Sequence, residues 1–138
     1  MELELTETAV MTDPDAAMIT LGRITATGAR LAIDDFGTGY ASLTYLQRFP
    51  VSVIKIDRTF VRDMASGGPS LAIVRSTIEL ARSLGLTVVA DGIEDRQTAD
   101  TLREIGCDLA QGYYFARPGS AREIDLYLNE HETVRVVA

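Results

Sequence analysis

The sequence predicts an α/β fold of about five parallel strands alternating with helices, and three observations predict it. A helix-like segment ending at glycine, followed by a short apolar run closed by a polar or acidic group, occurs three times: "TGARLAIDD", "LGLTVVADG" and "IGCDLAQGY". Glycine just past a helix end enters the left-handed region without strain. The apolar runs are four to six residues long and continuous, as suits strands buried on both faces. Helix start signals lie between them, and strict β–α alternation implies a parallel sheet with right-handed crossovers.

The elements follow in order. A first strand is expected at Leu3–Thr6. A helix then opens with Thr12 or Asp13 as cap and Pro14 in its first turn. The second strand, Leu31–Asp34, runs into "DDFGTG". The short segment "ASLTYLQRF" leads to a third strand at Val53–Asp57, where Asp57 reads as the cap of a following helix. A helix opens through Gly67, Gly68 and Pro69, with Leu71, Ile73, Val74, Ile78, Leu80, Ala81 and Leu84 spaced as one apolar face. A fourth strand spans Val88–Asp91, a helix runs from about Arg96 to Ile105, and a fifth strand spans Leu109–Tyr113. "SAREIDLYLNE" is a last helix, and residues 129–138 read as a tail with weak strand alternation at Thr133–Val137. An open doubly wound sheet and part of a βα barrel both fit this order.

Composition narrows the function classes. The chain has 138 residues, enough to bury one core, and its formal net charge is −7. That charge argues against a basic DNA- or RNA-binding surface, though bound divalent cations can invert a local field. No apolar stretch is long enough to span a bilayer, and the acidic "MELELTE" start is unlike a signal peptide. A single cysteine, Cys107, fits a reducing compartment, and a cytoplasmic protein is expected. Cys107 lies at a helix-to-strand junction and reads as a buried structural thiol. The single histidine, His131, lies in the polar tail and reads as a surface residue.

Polar groups collect at the predicted strand ends: Glu4 and Glu7, Asp34 and Asp35, Lys55 and Asp57, Asp91 and Glu94, and Gln111. In parallel α/β folds the active site forms at these C-terminal ends. Converging carboxylates without His or Cys make an oxygen site for a hard cation such as Mg²⁺ or Mn²⁺. Two adjacent aspartates can divide their oxygens between two ions, a device used in phosphodiester hydrolysis. Gly37 and Gly39 let the loop turn beside that site, and Lys55 would neutralise a phosphate or orient water. Taken singly, each acid has a plainer reading: Asp57 is a cap, Glu7 is solvated, and "DDFGTG" is a tight turn.

The ordered series "ELTE", "DDFGTGYASL", "KIDRTFV", "VVADGIE" and "QGYYFARP" resembles the EAL-domain family of cyclic di-GMP phosphodiesterases, over residues 1 to about 128. The resemblance implies the C-terminal portion of a TIM-like barrel and hydrolysis of cyclic di-GMP to the linear dinucleotide with Mg²⁺ or Mn²⁺. Position by position, it implies that Glu4 and Asp34 hold a first metal and Asp35 a second, with Asp34 bridging. It makes Glu7 the group that steadies the "DDFGTG" loop and Lys55 the holder of water or phosphate. Asp91 takes the place of a glutamate general base, one methylene shorter here, while Glu94 and Gln111 complete the site.

The family's Glu-Ala-Leu segment and a later asparagine, both first-metal ligands, have no counterpart in these residues. A complete barrel takes about 250 residues and eight strands. Open edges and apolar faces are therefore expected, with self-association or an N-terminal partner or regulatory domain to cover them. The alternative reading is a catalytically inactive module that binds cyclic di-GMP or a protein.

Overall fold

The computed structural model of the chain describes residues 1–38 and 43–130. Gly39, His131 and the expected strand at Thr133–Val137 lie outside them. The strands are β1 (Glu2–Thr6), β2 (Arg30–Phe36), β3 (Val53–Ile56), β4 (Thr87–Ala90) and β5 (Leu109–Ala110). The helices are α1 (Glu7–Met11), α2 (Pro14–Thr25), α3 (Leu43–Arg48), α4 (Arg58–Asp63), α5 (Gly68–Ser83), α6 (Arg96–Glu104) and α7 (Ala121–Glu130). None of them is long and apolar enough to cross a membrane.

The sheet order is β1-β2-β3-β4-β5, every pair parallel. This order decides between the two architectures the sequence left open. A doubly wound sheet reverses its order at a switch point and carries helices on both faces. Here each crossover advances by one strand in the same sense, so the described strands form an arc of a βα barrel.

Period-2 alternation then assigns the faces. Leu31, Ile33, Ile54, Ile56, Val88 and Ala90 join Val61, Met64, Val74, Ile78 and Leu102 in the main core, between sheet and helices. Ala32, Val53 and Val89 form a smaller cluster with Leu109 on the inner face. The inner-face apolar residues are themselves buried, at 0%, 2% and 4% exposure for Ala32, Val53 and Val89. These three residues are therefore not an open apolar face, because the small and β-branched side chains pack on one another and on Leu109.

Several expected elements differ in extent. α1 was not anticipated; Thr6 caps it by accepting from the Ala9 N–H at 3.2 Å. Asp13, not Thr12, caps α2, accepting from Ala16 N at 3.1 Å. Ile73 is 36% exposed and off the buried face of α5, which centres on Val74, Ile78 and Ala81. Consecutive helical residues point about 100° apart, and with the buried face running through Val74, Thr77, Ile78 and Ala81, Ile73 falls beyond its edge. β5 stops at Ala110 rather than Tyr113, because the chain turns at Gly112 onto the backbone of Ile93.

Candidate active-site rim

The two adjacent aspartates sit in a bulge. Ile33 pairs with Ile54 and Phe36 with Ile56, so β2 uses three steps where β3 uses two. Asp35 takes φ 55°, the one non-glycine positive φ among the described residues. With plain alternation Asp34 and Asp35 would point to opposite faces and Phe36 would point inward. The extra residue returns Phe36 to the core, where it is 8% exposed, and leaves both carboxylates at the C-terminal rim. A non-glycine residue in this region stores roughly 1–3 kcal/mol of strain, which the surrounding structure must hold.

Two contacts hold that loop. Glu7, 3% exposed at the start of α1, accepts a hydrogen bond from the Gly37 N–H at 3.0 Å. Gly37 has φ 99°, and a Cβ there would meet the Phe60 ring at 3.0 Å. The solvated reading of Glu7 is thus corrected: the turn from β1 into α1 carries its side chain inward.

Lys55 crosses the inner face. Its side chain is buried and its Nζ donates to Glu4 Oε1 at 2.8 Å, with the Glu4 side chain 47% exposed. The register puts Ala32 between Glu4 and Val53, and that small residue leaves Lys55 room to reach β1 from β3. Burial works against the ammonium. The hydrogen bond that Lys55 donates to Glu4 and the charges of Asp34, Glu4 and Asp91 outweigh it and hold Lys55 above the ordinary lysine value.

Asp35 and Asp57 face each other. Burial, then Asp34, Asp57 and Asp91, push the Asp35 carboxyl above the usual range. Burial also acts against charge on Asp57, but hydrogen bonds from Thr59 and Asp35 and the Arg58 charge hold it below the usual range. Asp57 is indeed the cap of α4, accepting from Thr59 N at 2.8 Å. Its pairing with Asp35 was not foreseen. The signal was available: Asp57 lies two residues beyond Lys55 and so shares its face.

The remaining candidates divide. Asp34 Oδ1 accepts from Asp35 N at 2.9 Å, and Asp91 Oδ1 accepts from Gly92 N at 2.7 Å. Asp91 and Gln111 both line a cavity of about 640 Å³ that continues along Tyr113, Arg117 and Tyr127. Arg117 stacks over the Tyr113 ring at 5.3 Å. Sequence reasoning singled out neither Arg117 nor the α7 wall. Glu94 is exposed and shares no hydrogen bond or ion pair with the other described rim residues.

The donors are all oxygens, the chemistry of a hard cation. Their placement does not match one, however. No group of three or more His, Cys, Asp or Glu among the described residues is arranged to hold a metal ion. Glu4 is taken by Lys55, Asp35 by Asp57, and Asp34 and Asp91 each by a backbone N–H. The rim as it stands does not fit the metal set that the sequence implied.

Comparison with known proteins agrees with this architecture. The cyclic di-GMP phosphodiesterase RocR of Pseudomonas aeruginosa is 45% identical over 115 residues, 83% of this chain and 29% of RocR. A solved MucR phosphodiesterase in complex with c-di-GMP superposes with a TM-score of 0.86 at 41% identity, covering 89% of this chain and 50% of that one. A manganese and cyclic di-GMP complex of Klebsiella pneumoniae BlrP1 superposes with a TM-score of 0.78 at 42% identity, over 85% of this chain and 30% of that one. The chain spans between 14% and 29% of the length of the curated relatives it matches. The EAL-domain model matches residues 1–118, so the chain belongs to the EAL-domain family.

Proposed function

We propose that this chain carries the C-terminal part of a cyclic di-GMP phosphodiesterase site, hydrolysing one phosphodiester of the cyclic dinucleotide to linear pGpG. The observation that carries this reading is the convergence of Glu4, Asp34, Asp35, Lys55, Asp57 and Asp91 on one rim, beside a cavity walled by Gln111, Tyr113 and Arg117. Tyr113 and Arg117 offer a ring and a guanidinium plane for a base to stack on. Gln111 supplies amide donors and acceptors, and Lys55 supplies the positive charge a phosphate needs. Asp91, which lines the same cavity, would take a proton from water. Mg²⁺ or Mn²⁺ would need donors beyond those now gathered on the rim. An N-terminal half or regulatory domain, or a second copy, would supply them, and Glu94 is free to swing in. Residues 1–128 would form the domain part and 129–138 a tail, in a cytoplasmic protein.

A second reading is favoured by the internal partners of Glu4, Asp34, Asp35 and Asp91. A rim so engaged suits a module that binds cyclic di-GMP, or a protein partner, without cutting the nucleotide. One experiment separates the two. The purified chain is incubated with cyclic di-GMP and Mn²⁺, the products are resolved by chromatography, and Asp34→Asn/Asp35→Asn serves as control. Linear product that vanishes in the control supports hydrolysis. Saturable nucleotide binding without product supports the silent module, and the absence of both product and binding refutes hydrolysis and nucleotide binding alike.

A further inference from the structure

Asp91–Gly92 is the one Asp–Gly step in the sequence, and it lies in the loop between β4 and α6. The fold demands the glycine: it takes φ 78°, and a Cβ there would meet the Arg58 Cβ at 2.5 Å. Its N–H donates to no backbone carbonyl among the described residues. It donates instead to Oδ1 of Asp91, the residue before it, at 2.7 Å. With a carbon–oxygen bond of about 1.2 Å, that contact holds the Asp91 Cγ within about 4 Å of the Gly92 nitrogen, close to the roughly 3–3.5 Å of a near-attack conformer. Asp91 also lines the cavity of about 640 Å³, so water reaches its carboxyl. Asp34 makes the same contact with the Asp35 N–H at 2.9 Å, but there the following residue carries a side chain that hinders its nitrogen.

We propose that Asp91–Gly92 is a site of spontaneous isoaspartate formation in the folded chain. The Gly92 nitrogen bonds to the Asp91 Cγ, and the carboxyl hydroxyl leaves with the amide proton as water. Water then adds to one of the two carbonyls of the resulting succinimide. Opening the bond between nitrogen and Cγ returns aspartate. Opening the other carbon–nitrogen bond routes the main chain through Cβ and Cγ and leaves a carboxylate on Cα. No oxidant, reductant or co-reactant other than water enters. The product lengthens the loop by one main-chain carbon and moves a carboxylate that lines the cavity. A glutamate at this position would need a six-membered ring for the same step, so the shorter aspartate is what brings this chemistry to the loop. The proposal goes beyond the phosphodiesterase reading, and no nucleotide enters its test, so its failure leaves the hydrolysis assay untouched.

The full 138-residue chain is held at about 37 °C and sampled over several weeks, with circular dichroism confirming that it stays folded. Tryptic peptides are mapped by electron-transfer fragmentation, which separates the two isomers. Total isoaspartate is counted by methyl transfer from S-adenosylmethionine with an isoaspartyl methyltransferase. Isoaspartate should accumulate in the peptide Ser83–Arg96, which holds Asp91, at least about tenfold above the peptide Leu31–Arg48, which holds Asp34. Asp91→Glu should abolish it at that position. A parallel sample in urea gives the rate without the fold, and the native rate should lie within about tenfold of it. Three results would each overturn the proposal. One is a folded wild type without isoaspartate at position 91. Another is a level at Asp34 within about tenfold of that at Asp91. The last is a native rate more than about tenfold slower than in urea, because the fold would then protect the step rather than hold it ready.

Discussion

Gly112→Ala should be one of the most damaging single-methyl additions in the chain. A Cβ at position 112 would lie 2.3 Å from both the N and O of Ile93, against an ordinary contact of 3.4 Å or more. The obstacle is backbone, so no side chain can swing away, and the strands' ends must separate by about 1.1 Å, the difference of those distances. Two hydrogen bonds span that gap: Ile93 N to Gln111 O at 3.1 Å and Tyr114 N to Ile93 O at 2.9 Å. Losing both costs about 1 kcal/mol each. Holding alanine at φ 155° adds roughly 1–3 kcal/mol. The sum, about 3–5 kcal/mol, is a large part of a domain's usual 5–15 kcal/mol. Urea unfolding followed by circular dichroism should show this loss. Gly22→Ala, in mid-α2 with nothing within 4 Å of its Cβ position, should instead stabilise by about 0.5–1 kcal/mol. A Gly112→Ala loss under about 1 kcal/mol would refute the steric reasoning.

Glu7→Ala removes a buried acceptor and leaves the Gly37 N–H short of its partner, which should cost about 1–3 kcal/mol in urea unfolding, with Glu7→Gln costing less. Asp91→Glu restores the methylene that lets a carboxylate reach past its own Gly92 N–H; under the phosphodiesterase reading, cyclic di-GMP turnover should rise by up to about 10²-fold. Cys107 is pushed from 9.0 to about 11 by burial, only partly offset by hydrogen bonds around Leu109. Native protein at pH 8 should therefore react with a disulfide reagent about 100-fold more slowly than unfolded protein. The sign for stability follows: the neutral thiol is favoured in the fold, so its contribution is complete below pH 9 and is lost as pH rises from 9 to about 11. That loss reaches roughly 2–3 kcal/mol, measurable as a falling urea midpoint across that range.

Periodicity, caps and turn residues are local signals, and they placed the α/β alternation, the start of α2 at Thr12 or Asp13, the Asp57 cap, and the strand ends where polar groups gather. They also carried the EAL motifs, because a motif is an ordered string of residue types. The rest depended on groups far apart in the chain. Sequential strand order, which separates a barrel arc from a doubly wound sheet, is a matter of which strands pair. The bulge at Asp34–Asp35 appears only against the register of β3, and without it the two carboxylates would face opposite sides. Asp57 carried a legible capping role, but its pairing with Asp35 needed the bulge first. Lys55 and Glu4 lie 51 residues apart and meet across Ala32. Gly112 looked like one letter of a motif until the backbone of Ile93 was found 2.3 Å from where its Cβ would be. Short-range patterns fix conformation because they act through neighbouring dihedrals and hydrogen bonds; charge pairing and steric exclusion act through space, so only the folded chain decides them.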